Sequence, residues 1–127
     1  MFSHVMLGAD DIDASKSFYD ASLGTLGVQP GRVDPMGRVM YMTQSGLFIL
    51  TKPLNGEPAS CGNGSTIGFS ADSPEAVDAW HEAGKAAGGT PIENPPGIRE
   101  MGPMKLYLAY LRDPAGNKLC AMHRVAA

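Results

Sequence analysis

The stretch His4-Val-Met-Leu-Gly-Ala-Asp-Asp-Ile-Asp-Ala-Ser-Lys-Ser-Phe-Tyr19 reads as a strand, a cap and the opening of a helix. Val5 and Leu7 share one strand face, and His4 and Met6 share the other, because strand side chains alternate. Asp11 or Asp13 can accept hydrogen bonds from the first free amides of a helix that runs to about Leu23 and stops at Gly24. The same order returns 62 residues later. Val5 falls on Ile67, Leu7 on Phe69, Ala9 on Ala71, Asp10 on Asp72, Ala14 on Ala76 and Phe18 on Trp80. Ser73 followed by Pro74 marks the second helix start.

Working outward, residues 28–33, 37–43 and 47–52 read as strands that complete the first unit, with Gln44-Ser45-Gly46 as a turn. Residues 53–63 are polar and rich in Gly, Pro and Ser, which predicts a linker. The second unit has strands at 65–71, 90–93, 105–112 and 118–124. Asp113-Pro-Ala-Gly116 suits a type I turn, so Asp113 is expected to be structural. The stretch 94–103 is long enough to be expected as a lid. Ala76, Trp80, Ala83 and Ala87 are the expected apolar helix face, which leaves His81 in solvent; His123 is expected at the surface or an interface.

The fold class that follows is α+β. One domain, 1–127, contains two βαβββ modules (1–52 and 64–127, linker 53–63) that form a curved-sheet cup with the helices outside. Phe18 and Trp80 should pack on the Val5/Leu7 and Ile67/Phe69 faces, which turns His4, Met6, Thr66 and Gly68 toward the hollow.

Composition narrows the function classes. A chain of 127 residues with 43% hydrophobic and 18% charged residues is not disordered as a whole. Ten basic against thirteen acidic residues, with no basic cluster, argues against nucleic acid as a partner. The apolar runs are too short for a membrane span, and the start lacks the pattern of a signal peptide. Two cysteines make no disulfide framework, so a reduced cytoplasmic protein is expected.

His4 to Tyr19 resembles the opening of the vicinal oxygen chelate superfamily, and Leu111-Arg-Asp-Pro-Ala-Gly-Asn-Lys118 resembles its closing hairpin. That superfamily holds glyoxalase I, bleomycin and fosfomycin resistance proteins and extradiol dioxygenases. The resemblance implies a small organic molecule as partner and a homodimer. It also implies a divalent metal held by His, Glu and sometimes Gln. Carried over, the ligand positions are His4, Thr66, Ile49 or Leu50, and Cys120. Only His4 is a familiar ligand, and too few donors remain to hold a catalytic ion. The expectation is therefore a binding cup without a cofactor, lined by His4, Met6, Thr66, Leu108, Tyr110, Arg112, Cys120 and Met122. Tyr110 and Arg112 share a strand face and can hold a polar or anionic group. The methionines suit apolar ligands of varied shape; Met40 and Met42 share a face that the sequence alone does not orient. The alternative is a metal-dependent lyase or dioxygenase that uses His4 with Cys120 and a donor such as Glu100, supplied by the lid or a partner chain. Cys120 as a nucleophile would need a lowered thiol pKa.

Overall fold

A computed structural model describes residues 1–125. The last two residues of the second module lie outside them. The order is β1 (His4–Gly8), α1 (Ile12–Gly24), β2 (Arg32–Val33), β3 (Val39–Thr43), β4 (Gly46–Thr51), β5 (Ile67–Ser70), α2 (Pro74–Ala86), β6 (Thr90–Pro91), β7 (Gly97–Met101), β8 (Met104–Arg112) and β9 (Lys118–Val125). Module one has the expected βαβββ order, and module two has it with one added strand, β7, between β6 and β8. β1 is parallel to β4 and β5 is parallel to β9.

The helix starts follow the sequence. Asp11 Oδ1 accepts from Ala14 N at 3.0 Å, and Ser73 Oγ accepts from Ala76 N at 3.1 Å with Pro74 in the first turn. Asp113 O accepts from Gly116 N at 2.9 Å, closing the expected turn. β2 is far shorter than residues 28–33. Gly31 N donates to Asp20 Oδ1, and a Cβ at Gly31 would lie 2.4 Å from Val39 Cγ1, so this segment is held against α1 and β3 as a loop.

Two expectations are corrected. First, the strands do not join into one curved sheet. They form a four-stranded sheet, β1-β4-β3-β2, and a five-stranded sheet, β5-β9-β8-β6 with β7 also on β8. Second, the stretch 94–103 is no lid. Its centre, β7, hairpins with β8 through Gly102, whose φ of 59° suits glycine in the turn.

The helices pack against each other, and one core serves both modules. Phe18, Tyr19, Leu50, Val77, Trp80, Leu111 and Leu119 are each fully buried in it. Val5 and Leu7 pack on this core from β1, as do Ile67 and Phe69 from β5, in line with the expected helix-facing sides. The faces expected to line the hollow therefore turn away from the shared core.

His81 is also corrected: it is only 9% exposed. The buried stripe of α2 is Val77, Trp80, His81 and Gly84. Gly84 is the reason the stripe sits there, because a Cβ at that position would lie 2.5 Å from Leu111 Cδ1.

Candidate functional site

Strand register sorts the side chains that turn away from the core. In module one, His4 pairs with Leu47 and Met6 with Ile49; Ile49 pairs in turn with Met40, and Leu47 with Met42. These six residues share the outer face, which orients Met40 and Met42. In module two, Tyr110 pairs with Cys120, Leu108 with Met122 and Arg112 with Lys118. Arg99 joins this face opposite Leu106.

The predicted site residues fall into four places. Leu108, Tyr110 and Cys120 meet on the outer face of module two, where Leu106, Leu108 and Cys120 form a second buried apolar cluster with Tyr110 against it. Met122 and Arg112 share that face. Met122 is 38% exposed, and Arg112 Nη1 donates to Gly116 O at 2.7 Å. Met6 lies on module one, in an open groove of about 1070 Å³ that also carries Val33, Met36 and Leu54. His4 is exposed, its Nδ1 hydrogen-bonded to Ser3 Oγ at 2.8 Å, and it borders a cleft of about 500 Å³ between the modules. Thr66 is exposed and precedes β5, so the fixed strand face begins one residue too late to include it.

Three neighbours escape a sequence reading. Arg99 reaches back along β7: Nη1 donates to Pro95 O at 3.0 Å and Gly97 O at 3.1 Å, and Nη2 donates to Asn94 O at 2.8 Å. Lys118 sits 5.0 Å from the centre of the Tyr110 ring, within cation–π range, and pairs with Glu93. Glu93 occupies the left-handed region at φ 59°, and its carboxylate meets Lys118 from there. The alternation Ile98, Arg99, Glu100, Met101 ahead of Gly102-Pro103 is the signal for a hairpin that would have placed Arg99. It also sets Glu100 opposite Lys105, on the other face from Tyr110. Within one chain, Glu100 therefore cannot complete a metal site on the Tyr110 face.

The electrostatics argue against a reactive thiol. Burial pushes the Cys120 pKa up, and the opposing pull of Lys118 does not reverse it. Burial likewise raises the Tyr110 pKa, with Cys120 and Glu93 adding to the effect. Both groups are therefore neutral at pH 7: a small apolar thiol and a phenol that can donate or accept a hydrogen bond.

The family-type metal does not fit one chain. Ile49 and Leu50 offer no side-chain donor. Among the described residues no group of three His, Cys, Asp or Glu side chains converges.

A family model, Glyoxalase/Bleomycin resistance protein/Dioxygenase superfamily, matches residues 1–121, and the chain belongs to that superfamily. A crystal structure of a glyoxalase/bleomycin resistance protein from Albidiferax ferrireducens is similar over 98% of this chain and 99% of its own, at 59% identity and a TM-score of 0.94. A glyoxalase/bleomycin resistance protein/dioxygenase family enzyme from Burkholderia phytofirmans shares the fold at 23% identity and a TM-score of 0.73, covering 97% and 98% of the two chains. A lactoylglutathione lyase from Agrobacterium tumefaciens is similar at 25% identity and a TM-score of 0.67, over 96% and 92%. No curated protein matches the chain. Among the described residues no helix is long and apolar enough to cross a membrane.

Proposed function

We propose that this superfamily member binds a small organic molecule over the outer face of module two, acting as a homodimer in the cytoplasm. In this reading the module-one face of a second copy, with Met6, Met40 and Met42, forms the opposite wall. The observation that carries it is the cluster of Leu106, Leu108, Cys120 and Tyr110, an apolar patch built on a face turned away from the main core. The facing surfaces are rich in exposed apolar side chains: Met42 is 75% exposed and Met101 is 56% exposed. Exposed patches of this kind mark binding or association surfaces. Flexible thioethers fit ligands of varied shape. Free Cys61 and Cys120 suit a reducing compartment.

The cup residues keep the roles read from the sequence. Leu108, Cys120 and Met122 contact the apolar body of the ligand, and Tyr110 and Arg112 hold its polar end. His4 and Met6 approach from module one, and Thr66 from module two just ahead of β5. No nucleic acid and no resident metal enter this reading.

A thermal-shift screen of apolar and aromatic compounds, run beside Met122→Glu and with sedimentation velocity on the free protein, tests it. The reading predicts a dimer, a rise in Tm with aromatic ligands, and loss of that rise in the variant. A monomer with no ligand-dependent shift in either protein would overturn it.

A further inference from the structure

The charges on the outer face of module two are unevenly answered. On that face Arg112 lies at the turn end of β8, while Arg99 and Lys118 act on Tyr110 beside one acid, Glu93. Only Lys118 is paired with it. Arg99 is held by the carbonyls of Asn94, Pro95 and Gly97, and Arg112 by the carbonyl of Gly116. Carbonyls orient a guanidinium without neutralising it. Among the described residues neither arginine has a carboxylate partner, and both are half-buried. Arg99 is close enough to act electrostatically on the Tyr110 hydroxyl, and Arg112 is the strand neighbour of Lys118. Beside these fixed cations lies the apolar floor of Leu106, Leu108 and Cys120.

A preset guanidinium beside an apolar floor selects an amphipathic anion. The cation costs little to orient because its rotamer is already held, and low local polarity strengthens its attraction. The groove on module one carries the opposite balance, with Asp10, Asp11 and Asp13 against Arg38 and Lys52. Module two is therefore the end that takes the negative group.

We propose that the ligand is an organic anion with an apolar or aromatic body, its carboxylate or equivalent group bound by Arg99 beside the Tyr110 hydroxyl. This rests on the reading that module two binds a small molecule.

The test uses two probes of one shape, 2-naphthoate and 2-naphthamide. Affinities are measured by isothermal titration for the full chain, for Arg99→Gln and for Arg112→Gln. The proposal predicts that naphthoate binds about tenfold more tightly than naphthamide at low salt, and that the preference shrinks as salt rises. It also predicts that Arg99→Gln brings the two affinities together while naphthamide binding stays as it was, and that Arg112→Gln leaves most of the preference in place. Unchanged naphthamide binding shows that the face is still folded. Equal affinities in the unaltered protein, or a preference that survives Arg99→Gln, would overturn the anion proposal while leaving small-molecule binding in place. Failure of both probes to bind would overturn both.

Discussion

Tyr19 Oη donates a 2.5 Å hydrogen bond to Asp113 Oδ2 across 94 residues of sequence, and both groups are buried. The bond joins α1 of the first module to the β8–β9 turn of the second. Asp113 Oδ1 also accepts from Ala115 N and Asn117 N, and Asn117 Nδ2 bridges Asp113 Oδ2 and Gly8 O. A residue that the sequence explains as a turn former is thus the polar joint between the modules. It fixes how the two outer faces are set relative to the common core. Burial and the Asp113 carboxylate together push the Tyr19 pKa well up, so the phenol stays a donor.

Tyr19→Phe removes the donor and keeps the ring. A hydrogen bond to a charged buried group contributes about 2 kcal/mol. Urea unfolding should show a loss of that size with an unchanged slope. Asp113→Ala, which orphans Asn117 and two turn amides, should lose more. A Tyr19→Phe midpoint equal to that of the unaltered protein would remove the joint from this account.

Gly84→Ala tests the packing of α2. On propensity alone, alanine in a helix interior gains roughly 0.5–1 kcal/mol. Here the added Cβ meets Leu111 Cδ1 at 2.5 Å and Phe18 Cε1 at 3.1 Å, and both side chains belong to the core. Overpacking costs about 1–3 kcal/mol and outweighs the gain. Thermal unfolding should give a lower Tm; a higher one would mean that the core yields easily at this point.

His81 predicts a pH dependence. Burial holds its pKa below the ordinary histidine value, and Lys85 adds to this against the opposite pull of Glu82 and Asp78. The unfolded chain therefore binds the proton more readily than the folded one. The stability tied to neutral His81 is present above about pH 6.5 and is lost as pH falls toward the depressed folded value. Denaturation midpoints between pH 7.5 and 5 should fall more steeply in the unaltered protein than in His81→Gln. Parallel curves would contradict a buried neutral imidazole.

The donor set predicts weak metal retention. Protein purified without chelator or affinity-tag metal should carry well under one divalent ion per chain by elemental analysis, and His4→Ala should not change the content. Stoichiometric metal that disappears in His4→Ala would restore the lyase or dioxygenase reading, with a partner chain supplying the missing donors.

The parts of the fold legible in sequence are those encoded locally. Asp11 and Ser73 announce helix starts, and Asp113 to Gly116 announces a turn. The 62-residue repeat carries the module order because both modules need the same helix-facing pairs, Val5 with Leu7 and Ile67 with Phe69. Misreadings arise where a distant element decides. The buried stripe of α2 is displaced from the Ala76–Ala87 row because Leu111 demands a residue without a side chain at position 84. The stretch 94–103 looks like a loop until β8 offers it a pairing edge. Tyr110 and Leu108 were legible as one face through alternation, and Cys120 joined them only through the family resemblance. Arg99, Lys118 and Glu93 were not, since their meeting depends on register across three strands and on one backbone turn at Glu93.

The central claim is that the outer face of module two is where the ligand sits. Amide chemical-shift mapping of isotopically labelled protein with 2-naphthoate tests it most directly. The account predicts that the largest shifts fall on Leu108, Tyr110, Cys120 and Met122 and on the β7 amides beside Arg99. Shifts confined to Leu26, Phe48 and Phe69, in the uncharged cleft between the modules, would place the ligand elsewhere and contradict it.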